Sequence, residues 1–163
     1  MSRLDSFIRR VTAQRDCLNL AAELIADVPG PVLELGLGNG RTYDHLRELF
    51  PDREIFVFER RVAAHPGCIP DDAHLFLGDI TETLPAAAAR IGAPAALAHC
   101  DMGTGEKASN ARLAAFIGPA VSALMAAGGL VLSDQEYRVP GWTAVPLPPA
   151  VRPGRYFINR VGG

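Results

Sequence analysis

Lysine is nearly absent. Among 163 residues there is one, Lys107, against 15 arginines. The same chain carries 25 alanines, 16 glycines and 13 prolines, a bias that reflects a GC-rich genome rather than a function. Cysteine is scarce and scattered. Cys17, Cys68 and Cys100 form no C-x-x-C pair, which argues against a zinc site or a redox dithiol and fits a reducing cytosol. Excess charge is lacking as well. A formal net charge of −2 is too even to point to nucleic acid or an anionic membrane as the main partner. No apolar run approaches the ~18 residues that mark a transmembrane helix. The opening residues, MSRLDSFIRR, lack the apolar stretch of a signal peptide. The expectation is a cytoplasmic protein with no membrane contact. At 163 residues, one domain over 1–163 is expected, without a separate substrate domain.

What is present alternates between two periods. Leu4, Phe7, Ile8 and Val11 begin a helical stripe over 3–26 that Pro29-Gly30-Pro31 ends. Short apolar runs then predict strands at 32–35, 55–58, 75–77, 95–100 and 130–132. Helices are predicted between them at 42–50, 81–91 and 106–127, the last kinked or broken at Gly118-Pro119. After Asp134 prolines exclude a long helix, and 142–147 and 155–161 read as two strands. Residues 1–28 are thus a leading helix, 31–134 a βα core and 142–161 an antiparallel edge. Alternating strands and helices mean right-handed crossovers and a parallel sheet covered on both faces. The fold class is α/β, a doubly wound sheet with an antiparallel edge, whose ligands bind at the carboxyl ends of the strands.

Those ends carry the chemistry. The first strand runs into Gly36-x-Gly38-x-Gly40. The second ends in Glu59, the third in Gly78-Asp79, the fourth in Asp101 and the fifth in Asp134. Glycines allow a tight strand-to-helix turn and close backbone approach to a ligand. A strand-end carboxylate suits two ribose hydroxyls. A dinucleotide fingerprint, G-x-G-x-x-G, would need glycine where Arg41 stands.

The run Glu34-Leu35-Gly36-Leu37-Gly38-Asn39-Gly40 resembles motif I of the class I S-adenosylmethionine-dependent methyltransferases. Glu59 resembles their ribose-binding acid. Leu77-Gly78-Asp79-Ile80 resembles the segment whose Asp meets the adenine amino group, with Ile80 beside the ring. The resemblance covers 32–134 and is weaker over the terminal strands. It implies a Rossmann-like seven-stranded sheet of order 3-2-1-4-5-7-6 with strand 7 antiparallel, in a small bacterial form of the family. It implies S-adenosylmethionine as cofactor, held by Glu34, Gly36, Gly38, Gly40, Glu59, Arg60, Gly78, Asp79, Ile80 and Asp101.

Active sites of that family lie at the end of strand four, here Ala98-His99-Cys100-Asp101-Met102-Gly103. The segment lacks the Asn/Asp-Pro-Pro-aromatic run of many nucleobase and amide methyltransferases, which disfavours a nucleic-acid substrate. Asp101 is the catalytic candidate. His99 is a second, read either as a base or as a satisfied buried histidine. Asp101, Lys107 and Asp134-Gln135 partly resemble the metal-dependent O-methyltransferases, but Gln135 stands for Asn and Lys107 is displaced, so no metal is assigned. Tyr43, His45, Glu136 and Tyr137 are further pocket positions, and Arg152, Arg155 and Arg160 are read either as binding an anionic substrate or as lying on its rim, the rim being favoured. The expected function is methyl transfer to an oxygen or nitrogen of a small molecule. The alternatives are a non-catalytic S-adenosylmethionine-binding scaffold or an NAD(P)-dependent oxidoreductase. With only residues 135–141 between strands five and six, the usual helix there is missing. Trp142, Val145, Leu147 and Phe157 are therefore expected to be bare and to be covered in a homo-oligomer.

Overall fold

The computed structural model describes residues 1–163. Its strands are β1 (Val32–Leu35), β2 (Ile55–Glu59), β3 (Leu75–Leu77), β4 (Ala95–Cys100), β5 (Met125–Ser133), β6 (Thr143–Ala144) and β7 (Phe157–Arg160). Its helices are α1 (Arg3–Leu24), α2 (Arg41–Leu49), α3 (Ile80–Thr83), α4 (Ala88–Ile91) and α5 (Lys107–Ser122), with a 3-10 turn at Pro66–Cys68. The strands form one sheet of order β3-β2-β1-β4-β5-β7-β6. β1 to β5 pair in parallel; β7 is antiparallel to β5 and to β6. This is the predicted order and the predicted antiparallel strand.

Register places the ligand ends on one edge. Leu35 is level with Phe58 and with Cys100, and Cys100 with Ser133. Gly36, Glu59, Asp101 and Asp134 therefore emerge side by side. β1 and β4 are buried at every position, as parallel strands covered on both faces should be. Side chains alternate between two apolar layers. Leu33, Leu35, Phe58, Ile117 and Val121 pack on one face under α5. Leu18, Ile25, Val57, Leu97 and Leu132 pack on the other under α1 and α2.

Several boundaries differ from the predicted ones. The helix expected over 81–91 is two short helices, because Pro85 supplies no N–H between them. α5 runs through Pro119 without breaking and stops one turn later, so the proline removes only a bond near the end. β5 begins at Met125, paired with Ala95, and shifts register before Leu97 meets Leu130. β6 shrinks to two residues, since Pro146, Pro148 and Pro149 cannot donate to a ladder.

The bare face expected beside the antiparallel edge is not bare. Tyr137 is buried against the α5 layer, and Val139 comes so near Gly118 that a Cβ there would lie 2.9 Å from its Cγ2. Trp142 packs on the same layer and donates from Nε1 to Ser122 Oγ at 3.2 Å. Val145 and Leu147 pack on the opposite layer, and Phe157 is half-buried. The segment after β5 thus does the covering that a helix would do. Exposed apolar surface lies instead on the first turns of α1, where Leu4 is 66% and Ile8 51% exposed. No helix is long and apolar enough to cross a membrane.

Candidate active site

The turn after β1 has Gly36, Gly38 and Gly40 all at positive φ. Gly40 has φ +86°, and a Cβ there would meet Cys68 Cβ at 2.5 Å, so this position needs glycine for packing as well as for backbone angle. Gly38 has φ +53° and nothing within 4 Å of its would-be Cβ. The space over Gly38 is open, and a ligand can approach the backbone there.

Glu59 lies across this turn. Its Oε2 accepts from the N–H of Leu37 (2.8 Å) and of Gly38 (3.1 Å), and its Oε1 from those of Arg60 and Arg61. The carboxylate staples the glycine turn to its own strand end. These four donors fill its acceptor sites, so a ribose held by Glu59 displaces part of the set. Asp79 caps α3: its Oδ1 accepts from Thr81 N and Thr81 Oγ1, while Oδ2 stays free. Those bonds from Thr81, and then the charge of Arg60, hold the Asp79 carboxyl below its ordinary range. Ile80 is buried next to it and Gly78 has φ +143°. The Asp79 cap uses one carboxylate oxygen only.

Asp101 is where two spaces meet. Its backbone carbonyl packs against Gly36, 2.9 Å from where a Cβ would stand. Its side chain lines a cavity of about 920 Å³ on the α1 side of the strand ends. Gln14 of α1 donates to Asp101 Oδ2, and Arg10 lies 3.7 Å from the same oxygen. Gln14 was legible only as a polar residue between Val11 and Leu18 on the apolar stripe. Across the cavity, Asp134 Oδ2 accepts from Gly103 N at 2.9 Å, while its Oδ1 is buried without a partner. Burial, and then the charge of Asp101, raise the Asp134 carboxyl. No three His, Cys, Asp or Glu side chains converge as metal ligands.

His99 follows its reading as a satisfied buried histidine, and Glu34 stands elsewhere than expected for a cofactor contact. His99 is fully buried, level with Glu34 on the neighbouring strand. His99 Nδ1 is 2.8 Å from Glu34 Oε1, and its Nε2 is hydrogen-bonded to the Tyr156 hydroxyl. A ring enclosed this way has both nitrogens engaged and meets no ligand. Glu34 is equally buried and faces His99, so it supports the turn from beneath. Its Oε2 has no partner. Tyr156, which also lines the cavity, had no sequence signal, because a tyrosine in a β-prone run reads as core. His45 bonds Asn19 of α1 and Tyr43 is packed in the core, so both brace α2 rather than face a ligand.

A glycine turn at a sheet edge, with a carboxylate across it and a second acid beside an open cavity, defines the class I S-adenosylmethionine-dependent methyltransferases. Residues 1–161 match the family model described as S-adenosyl-L-methionine methyltransferase, and the chain belongs to that family. It is similar over 99% of both chains, at 50% identity and a TM-score of 0.92, to an S-adenosyl-L-methionine methyl transferase from Silicibacter pomeroyi DSS-3. It shares the fold of a candidate caffeoyl-CoA O-methyltransferase from Staphylococcus aureus (TM-score 0.58, 14% identity, 89% of this chain and 82% of that one). It likewise shares the fold of an rRNA methylase from Streptococcus thermophilus (0.51, 12%, 90% and 97%). Comparison with curated proteins gives no match. The protein is an enzyme, an S-adenosylmethionine-dependent methyltransferase, and S-adenosylmethionine is its cofactor.

Proposed function

We propose that the acceptor is a small molecule carrying an oxygen or nitrogen nucleophile, bound in the 920 Å³ cavity with Asp101 at its floor. The observation that carries this reading is the double position of Asp101, backbone against the glycine turn and carboxylate in the cavity. A cavity of this size suits a small ligand, within the range of about 300–1,000 Å³ common for such sites. The even charge of the chain gives no track for a polynucleotide.

The residues at the turn fit the cofactor. Open space over Gly38, the Glu59 carboxylate and the free Oδ2 of Asp79 offer a backbone cradle and two acceptors. We assign cofactor contacts to Gly36, Gly38, Gly40, Glu59, Arg60, Gly78, Asp79, Ile80 and Asp101. When bound, S-adenosylmethionine supplies an electrophilic methyl group. Asp101 orients the acceptor by accepting a hydrogen bond from its O–H or N–H and takes that proton as the methyl bond forms. Gln14, by donating to Asp101, fixes the carboxylate's direction. Buried Glu34 and His99 act as positioning residues beneath. Single-domain organisation and a reducing compartment suit one continuous sheet and three free cysteines.

Calorimetry with S-adenosylhomocysteine tests the cofactor site, and a methyl-transfer screen tests the reaction. Asp101→Asn is expected to cut kcat on any acceptor found by roughly 10²–10⁴-fold, the usual range for a lost base. Undiminished turnover would remove Asp101 from this role. We also propose self-association through the exposed stripe of Leu4, Phe7 and Ile8 on α1, since a copy of the same stripe is a complementary partner.

A further inference from the structure

The charges that line the cavity are not evenly compensated. Each acid there has a partner or a donor: Asp16 pairs with Arg15, Glu136 with Arg138, Asp101 takes Gln14 and Arg10, and Asp134 takes Gly103 N–H. Three cations that line the same cavity, Arg152, Arg155 and Lys107, are exposed and have no ion-pair partner in the chain. The two arginines sit on the loop that leads into β7, immediately before Tyr156. Lys107 stands at the first position of α5, directly after the cap residue Glu106, whose side chain makes no capping bond. A cation at a helix N-terminus opposes the helix dipole and is locally unfavourable. The cavity is therefore two-ended. Its floor offers the carboxylates of Asp101 and Asp134, which accept protons and hydrogen bonds. Its rim offers unpaired guanidinium and ammonium groups and the free N–H groups of a helix start, which together favour an oxyanion.

Building on the small-molecule reading above, we propose that the acceptor is itself an anion. One end bears the hydroxyl or amine that meets Asp101, and the other a carboxylate or phosphate held by Arg152, Arg155 and Lys107. Such a ligand completes the charge balance of the wall and is oriented by it, nucleophile inward and anion outward.

The test uses the full chain saturated with S-adenosylhomocysteine, whose own titration reports separately on the cofactor site. The probes are 4-hydroxybenzoate, 4-hydroxyphenyl phosphate and the neutral 4-hydroxybenzamide, titrated by calorimetry. At least one anion is expected to bind roughly tenfold or more tighter than the amide, as charge-assisted pairing to arginine requires, and to weaken with added salt. Whether benzoate or phosphate leads identifies the anion. Arg152→Gln with Arg155→Gln, and separately Lys107→Gln, are expected to shrink the difference and leave S-adenosylhomocysteine affinity unchanged. Equal affinity for the amide, no binding of either anion, or an anion preference that survives all three substitutions would overturn the proposal. Loss of S-adenosylhomocysteine binding in the unsubstituted chain would instead overturn the cofactor assignment.

Discussion

His99 and Glu34 face each other on adjacent strands, both enclosed by the α1 layer. Burial alone would lower the histidine, but the Glu34 carboxylate, by charge and hydrogen bond, raises it above its ordinary 6.5. Burial likewise raises Glu34. Asp101 and Asp134, at the ends of β4 and β5, add to the field on His99. Both groups hold a proton more tightly in the folded chain than in the unfolded one. The stabilisation from His99 is therefore complete below 6.5 and is lost as pH rises through the raised folded value. Urea midpoints should fall from slightly acid to mildly alkaline pH. His74 contributes with the same sign, held up by Asp71 and then Glu54, so the measurement belongs in a His74→Gln background. Replacing His99 by Leu leaves Glu34 buried and alone, an expected loss of about 3–5 kcal/mol at neutral pH. A slope that persists in His99→Leu would show that other groups carry it. The strand-end position of His99 was readable from the sequence. Its enclosure was readable only as one of two alternatives, because the neighbouring strand and the Tyr156 hydroxyl decide whether a histidine at a strand end meets solvent.

The β1–α2 turn separates fold from function more cleanly than any other element. Gly40→Ala places a Cβ 2.5 Å from Cys68 Cβ at φ +86°, so strain and clash act together. An expected cost of at least about 1–3 kcal/mol should appear in thermal or urea unfolding. Gly38→Ala meets no atom and keeps only the cost of a left-handed alanine, about 1–2 kcal/mol. On the proposed cofactor placement, its methyl group fills the open space over the turn. Calorimetry should show S-adenosylhomocysteine binding weakened by roughly tenfold or more, equivalent to about 1.4 kcal/mol. A Gly38→Ala protein that binds normally would place the cofactor elsewhere. The turn, the five parallel strands and the acids that end them were all visible as spacing along the chain, since each depends on local apolar runs and glycines. Helix limits were less visible. α5 runs through Pro119, where a kink or break was expected, and Pro85 splits a helix it was not expected to touch. A proline's effect depends on which carbonyl its ring displaces, and that is set by the elements packed around it.

At the scale of the whole molecule, the apolar surface is the question. The face beside the antiparallel edge was expected to need a partner, yet Tyr137, Val139 and Trp142 cover it from within. Leu4, Phe7 and Ile8 begin the helical stripe of α1 and are exposed. Only the later part of α1, with Cys17, Leu18 and Ala21, is buried. Light scattering is expected to show a dimer, and Leu4→Glu with Ile8→Glu to give a monomer with an unchanged circular dichroism spectrum and a lowered unfolding midpoint. A monomeric parent protein would refute self-association through this stripe.

By itself the sequence determined the class, the sheet and the cofactor turn, because these follow from periodicity, from glycine backbone freedom and from acids at fixed intervals. The tertiary structure alone decided which polar groups are sealed and which are open. Glu34, His99 and Asp101 lie close together in the motifs and at the same sheet edge. The first two vanish under α1 and the third opens into the cavity, because burial is a property of what is packed above a residue, and nothing in the chain's local order states it.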